Sequence, residues 1–262
     1  MSFSRAMNTS DKLLATLALF TTEEPEWTVE DAASRLDLSV STTYRYFRSL
    51  NDAGLIVAPA TGRYVLGPAI VQLDRQVRLR DPLIKAARPI MRELAERCAV
   101  PAMFLLCRLY RNQVMCVHQE QGGTLLDSDV AYERGRLLTL HRGAASKIIL
   151  AGLPARFVRG YQGRNREDMA AVGFGPDWEE VKRSLRQLRS AGISVTYGEL
   201  DPGMLGIAAP LFDPAGNVMG SLGKVVEDNA ETTQALPQLK DDIREAAERI
   251  TRAIATWQAP QP

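Results

Sequence analysis

LSVSTTYRYFRSLNDAG, residues 38–54, carries Thr43, Tyr46, Phe47 and Leu50 at i, i+3, i+4 and i+7. That spacing puts all four on one inward face of a helix. Ser39 or Ser41 is placed to cap its start, and Gly54 falls where a left-handed residue would stop it. The opposite face then displays Ser41, Thr42, Tyr44, Arg45 and Arg48. Upstream, Thr28 opens a shorter helix with Asp31 three residues on, approximating a capping box, and Ala32, Ala33 and Leu36 form its small apolar face. Asp37-Leu38-Ser39 is the tight turn between the two. A first helix, with Leu13, Leu14, Leu17 and Phe20 at helical spacing, starts from Thr9-Ser10-Asp11 and ends before Pro25. Downstream, Leu55-Ile56-Val57 and Tyr64-Val65-Leu66 flank Ala60-Thr61-Gly62 as a hairpin.

Two short helices joined by a tight turn and followed by a wing-like hairpin are the winged helix-turn-helix pattern, whose second helix enters the major groove of DNA. The displayed residue types suit that task. Hydroxyls reach phosphates or bases, and an arginine can pair bidentately with guanine. Arg63 lies on the wing, in reach of a phosphate or the minor groove. Charge supports this only locally: residues 39–63 sum to +2, but residues 1–67, with six basic side chains against eight acids, sum to −2. The basic surface must therefore be concentrated on one side. The same periodicity is compatible with a three-helix interaction module whose arginines are merely solvated.

Beyond Gly67 the pattern Ile70, Leu73, Val77 predicts a helix from Pro68 to about Arg80, broken by Asp81-Pro82. A second helix follows, with Leu83, Ala87, Ile90, Met91 and Leu94 inward. The periodicity then changes. Ala102–Tyr110 and Gln113–Gln119 read as strands, as do Gly206–Phe212 and Val218–Val226. Helices are expected at Ala144–Ala151, Asp177–Ser190 and Thr232–Trp257. Helix, antiparallel-looking strands, then helix describe an α+β domain.

The 262 residues are 45% hydrophobic and 24% charged with net charge +1, an ordinary globular composition without repeats or low-complexity tracts. No apolar run approaches the ~18 residues of a membrane span. The polar segment Met1–Lys12 lacks a signal core. The odd set Cys98, Cys107 and Cys116 fits reduced thiols, so a cytoplasmic protein is expected. Cys116 and His118, two apart on a strand, would share a face, and with His141 they form a candidate zinc set. A buried thiol and a core histidine are the commoner reading, no fourth ligand is framed, and no metal or cofactor is expected. A nucleophilic enzyme would need a base, an orienting group and an oxyanion site. The chain has two histidines and no G-x-S-x-G, P-loop or H-E-x-x-H. A non-catalytic sensor is expected, and an adaptor that docks through its first domain is the remaining alternative.

The chain resembles the IclR family of bacterial regulators over nearly its whole length. The resemblance rests on residues 38–50, Asp52-Ala-Gly-Leu55, Tyr64-Val-Leu-Gly67, Leu140-His-Arg-Gly-Ala-Ala-Ser-Lys147, Ile149-Leu-Ala151, Ser190-Ala-Gly-Ile193, Tyr197-Gly-Glu199 and Gly206-Ile-Ala-Ala-Pro210. It implies an α+β protein with a winged helix-turn-helix domain at 1–67, a linker and dimerisation helix at 68–81, and a GAF-like effector-binding domain at 82–262. It further implies a homodimer or dimer of dimers on palindromic double-stranded operator DNA, and a small organic acid as effector of a catabolic operon.

The segment Arg142–Lys147 runs into an apolar helix, and backbone N–H groups at a helix start make an anion site. By resemblance, effectors anchor at Ala144, Ala145 and Ser146, although the family usually has Gly where Ser146 stands. By matched position, Thr196, Met204 and Gly206 line the same pocket. Strand alternation groups Ser221, Gly223 and Val225 on one face, and Cys116 and His118 are expected in the same cavity. Some relatives have more polar residues at the positions of Thr196, Gly206 and Gly223. Their small, less polar character here implies a bulkier, aromatic or branched acid.

Overall fold

A computed structural model describes residues 8–60, 62–123 and 133–258. Thr61 of the wing turn and the first seven residues of the polar N-terminal segment lie outside them. The chain divides into two compact units, Met1–Arg80 and Asp81–Pro262. The helix expected as a separate linker is thus grouped with the first unit.

In the first unit, α1 (Thr9–Leu17), α2 (Val29–Leu36) and α3 (Val40–Asp52) precede the antiparallel hairpin β1 (Ile56–Ala60) and β2 (Arg63–Leu66), and α4 (Pro68–Arg80) follows. The local signals act as their chemistry dictates. Asn8 caps α1 through a reciprocal pair with Asp11, Thr28 caps α2 by accepting from the Asp31 N–H, and Ser39 rather than Ser41 caps α3. Asp37 takes a left-handed φ of 54° to make the turn between α2 and α3. At the other end of α3 the Gly54 N–H donates to Asn51 and the Leu55 N–H to Leu50, a Schellman closure. Phe47 is the hub of the small core, with Phe20, Trp27, Ala32, Leu50 and Ile56 around it and the Tyr64 ring edge-on at 4.9 Å. Trp27 and Tyr64 exchange backbone hydrogen bonds, so the hairpin is tied to the entry of α2.

The second unit is a six-stranded antiparallel sheet between two layers of helices. Its elements are α5 (Pro82–Glu96), β3 (Ala102–Tyr110), β4 (Gln113–Gly122), β5 (Leu137–Thr139), α6 (Ala144–Gly152), α7 (Ala155–Gln162), α8 (Arg166–Ala171), α9 (Trp178–Ala191), β6 (Ser194–Tyr197), β7 (Met204–Phe212), β8 (Val218–Glu227) and α10 (Ala230–Gln258). The strand order is β5-β4-β3-β8-β7-β6. Strand alternation feeds two cores. Ala102, Phe104 and Leu106 face α5 and α10 with Ile207, Ala209, Leu222 and Val226. Leu105 and Cys107 face α6 and α9 with Cys116, Ala208 and Val225. Asp81 caps α5 by accepting from the Leu83 and Ile84 N–H groups, and it also takes the Arg108 guanidinium at 2.7 Å. Sequence periodicity does not pick out β5, β6, α7 or α8, which are three to eight residues long.

One expected strand feature is overturned. A β-bulge between Leu106 and Cys107 pairs Leu106 with His118 but Cys107 with Cys116. The extra residue reverses the alternation on β4. Cys116 therefore packs toward α6, whereas His118 bonds Glu120 at 2.9 Å and Glu120 meets Arg92 of α5 on the other face. The three cysteines are unpaired. Cys116 beside it, together with complete burial, pushes the Cys107 thiol well above its ordinary range, which keeps it protonated.

Candidate functional site

On α3 the inward set is Thr43, Tyr46, Phe47 and Leu50, all buried. Ser41, Tyr44, Arg45 and Arg48 are exposed on the outer side and Thr42 is half-buried. The hydroxyls of Ser39, Ser41 and Thr42 form a short chain at the helix start, with Ser39 donating to Thr42 at 2.8 Å. Val40, Ser41, Tyr44 and Arg45 border a shallow concavity shared with Gly62 and Tyr64 of the hairpin. The expected face is thus assembled, with two arginines held loosely: Arg48 lies 3.8 Å from Asp52 and Arg63 lies 3.4 Å from Glu26, all largely exposed. Exposed pairs of this kind contribute little and are readily exchanged for a phosphate.

The second unit holds a cavity beside the start of α6, with about 370 Å³ of unfilled space including its open mouth. Gly143, Ala144 and Ala145 form one wall, Gly206, Gly223 and Val225 another, and Thr196 and Met204 close it. Gly143 sits at φ 80°, ψ 149°, a conformation costly for any side chain, and this bends the backbone into α6 without a side-chain cap. Small residues opposite make the room: a Cβ on Gly206 would stand 3.0 Å from the Thr196 hydroxyl and 3.5 Å from the Ala144 methyl. The first N–H groups of a helix have no intrahelical acceptor. That of Gly143 is taken by Glu199 Oε2 at 3.0 Å, while Glu199 Oε1 accepts from Lys147. Lys147 also donates to the Val172 carbonyl at 2.8 Å and lies over the Phe174 ring.

Four expected pocket residues do not line this cavity. Ser146 is buried within the first turn of α6, and Ser221 donates its hydroxyl to the Ala145 carbonyl at 3.1 Å, tying helix to sheet. Cys116 is enclosed in the core behind the cavity, and the bulge removes His118 to the opposite face. His141 is occupied at Nδ1 by the Tyr161 hydroxyl, 2.8 Å away, so Cys116, His118 and His141 do not converge on a metal position. Burial lowers the His141 pKa from its ordinary value, the Arg142 and Lys147 charges add to this, and Asp168 and Glu199 oppose it. Sequence reasoning missed Glu199, Leu200 and Asp201, which border the cavity, and the bond from Glu199 to the α6 start. The Tyr197-Gly-Glu199 motif was the available signal, but it names no partner.

A winged helix-turn-helix joined to an α+β domain that carries a cavity beside a helix start defines a regulator class that pairs a DNA reader with a sensor. Comparison with known proteins narrows this. The family model of the bacterial transcriptional regulator IclR C-terminal domain matches residues 76–252, and that of the IclR helix-turn-helix domain matches residues 9–59. The chain belongs to the IclR family of bacterial transcriptional regulators. It is 27% identical to the HTH-type transcriptional regulator KipR of Bacillus subtilis, covering 93% of this chain and 95% of that protein. It is 24% identical to the Pca regulon regulatory protein of Pseudomonas putida, over 90% of this chain and 80% of the relative. These relatives are regulators and not enzymes. Among solved structures, a regulator of the same family from a Silicibacter species superposes with a TM-score of 0.76 at 23% identity, over 94% of this chain and 96% of the other. An IclR homologue from Microbacterium hydrocarbonoxydans, in complex with 4-hydroxybenzoate, gives 0.73 at 21% identity, over 94% and 99%. At these identities the likeness is one of fold.

Proposed function

We propose that this regulator reads palindromic operator DNA through Ser41, Thr42, Tyr44, Arg45 and Arg48 of α3 and Arg63 of the wing, and senses a small organic acid with an aromatic or branched body in the cavity at the start of α6. The observation that carries the sensing half is the pairing of polar backbone at Ala144 and Ala145 with a wall of Gly206, Gly223, Val225 and Met204. A carboxylate fits the first and a hydrocarbon ring the second. The 4-hydroxybenzoate complex of the Microbacterium homologue supports that ligand class. A homodimer or dimer of dimers is favoured by α4, which buries none of its residues and exposes Val71, Leu73, Val77 and Leu79. Control of a catabolic operon follows as the natural use of such a sensor. By linkage, operator and effector change each other's affinity by one common factor, typically ~5 to 150-fold.

The test is selection of bound sequences from random duplex DNA at two salt concentrations, repeated with benzoate and 4-hydroxybenzoate present. A palindromic consensus whose occupancy shifts with an aromatic acid is the expected result. Salt-sensitive binding with no consensus in any condition would refute operator reading. Ala144→Leu should abolish the acid response while leaving the consensus unchanged, and a normal response in that variant would move the sensing site elsewhere.

A further inference from the structure

A second cavity lies on the other face of the same sheet, with about 790 Å³ of unfilled space including its open mouth. Leu94 and Cys98 at the end of α5, Val100, Phe104 of β3, and Ala235, Leu239 and Ile243 of α10 give it apolar walls. Lys224 of β8 lines it. Its register opposite Phe104 and Ile207 puts this side chain on the α5 and α10 face, although Gly223 and Val225 on either side line the first cavity. Lys224 is only 5% exposed, and its one partner among the described residues is the Phe104 ring, 5.1 Å from Nζ. Lys147, the other buried lysine among the described residues, instead holds Glu199 and the Val172 carbonyl. A lysine so deeply enclosed without an anion is rare, because desolvation of the ammonium is costly unless it is paired.

We propose that this cavity is a second ligand site and that its occupant is a small monocarboxylate with an apolar chain. The carboxylate pairs with Lys224 Nζ, and the chain lies along Leu94, Phe104, Ala235 and Leu239. The mouth selects against a second negative charge. Glu231 and Asp242 stand there, and the one arginine beside them, Arg97, is engaged by Glu93 at 3.0 Å. Asp242 accepts from Gln238 at 2.7 Å. Because Gly223 and Val225 border the first cavity while the Lys224 side chain between them enters the second, an occupant on Lys224 acts directly on the wall of the first site.

The experiment is calorimetric titration of the full chain with butyrate, hexanoate, octanoate and adipate, in an Ala144→Leu background so that the first cavity is filled. Hexanoate or octanoate should bind saturably with a Kd at or below about 1 mM. Adipate should bind at least about tenfold more weakly than hexanoate, since one charged hydrogen bond or its repulsive equivalent is worth that much. Lys224→Met should weaken hexanoate by about tenfold or more. Ala235→Phe, which fills the cavity while leaving Lys224 in place, should do the same and serves if the lysine variant fails to fold. Absence of saturable binding by all three monocarboxylates, or equal binding by both variants and the parent, would overturn the assignment.

Discussion

Helices α3 and α6 each begin a surface to which we assign a function, yet they are built in opposite ways. α3 buries four residues on one stripe and offers side chains from the other. α6 buries eight of its nine residues and offers backbone from its first turn. A reader of a polymer needs side chains that reach outward, so its helix must be amphipathic. A sensor of a small molecule encloses its ligand, so its helix is buried all round and the contact is made at the end. The surface that α3 offers is therefore local to thirteen residues. Function at α6 depends on partners far away, such as Glu199, which lies 56 residues beyond Gly143.

That contrast can be tested by removing the supports of each helix. Phe47→Ala empties the centre of the small first core and should cost about 3–5 kcal/mol. The thermal transition of the N-terminal unit should disappear from calorimetry while that of the second unit survives. Glu199→Ala leaves the Gly143 N–H uncapped and Lys147 with the Val172 carbonyl in place of a counter-charge; hydrogen bonds to charged groups are worth about 1.5–3 kcal/mol, and denaturant melting of the second unit should shift by that order. An unchanged midpoint would mean that the distant carboxylate does not support the α6 start. Arg45→Ala should weaken operator binding by about 1–3 kcal/mol with an unaltered circular dichroism spectrum, and Arg48→Ala should do so by less, because Asp52 already draws on that charge. Equal DNA affinity for the parent and both variants would show that the outer face of α3 is not the reading face. The smallest effect concerns His141. Its folded pKa lies below the ordinary 6.5, so below that pH the unfolded chain binds the extra proton first. Stability should be fully present above about pH 6.5 and decline as the pH falls, and His141→Gln should remove that part of the slope.

What the sequence discloses follows from the same contrast. The caps at Thr28 and Ser39, the stop at Gly54 and the inward set of α3 are fixed by contacts within one or two turns, and all are legible. The long strands and the helices α5, α9 and α10 are legible by period alone. The cavity is only partly so. Ala144, Ala145, Thr196, Met204, Gly206, Gly223 and Val225 are brought together; Gly223 and Val225 follow from strand alternation, whereas Thr196, Met204 and Gly206 rest on family resemblance and not on spacing. His118 was misplaced because a single inserted residue on β4 reverses the facing of everything after it, and no local composition marks that bulge. Ser221 faces the correct side but spends its hydroxyl on the Ala145 carbonyl.

The junction of β2 and α4 has a mechanical consequence. Gly67 passes so close to Gly54 that a Cβ there would lie 2.3 Å from the Gly54 carbonyl oxygen. The Gly67 N–H reaches the Leu55 carbonyl at 2.8 Å, and the Ala69 N–H reaches the Gly54 carbonyl at 3.0 Å. The root of α4 is thereby clamped to the foot of α3. Thirteen helical residues make an arm of about 20 Å with no joint at its base. Were the free end of that arm tilted, α3 would turn with it as one stiff piece, and any play introduced at residue 67 would dissipate the motion.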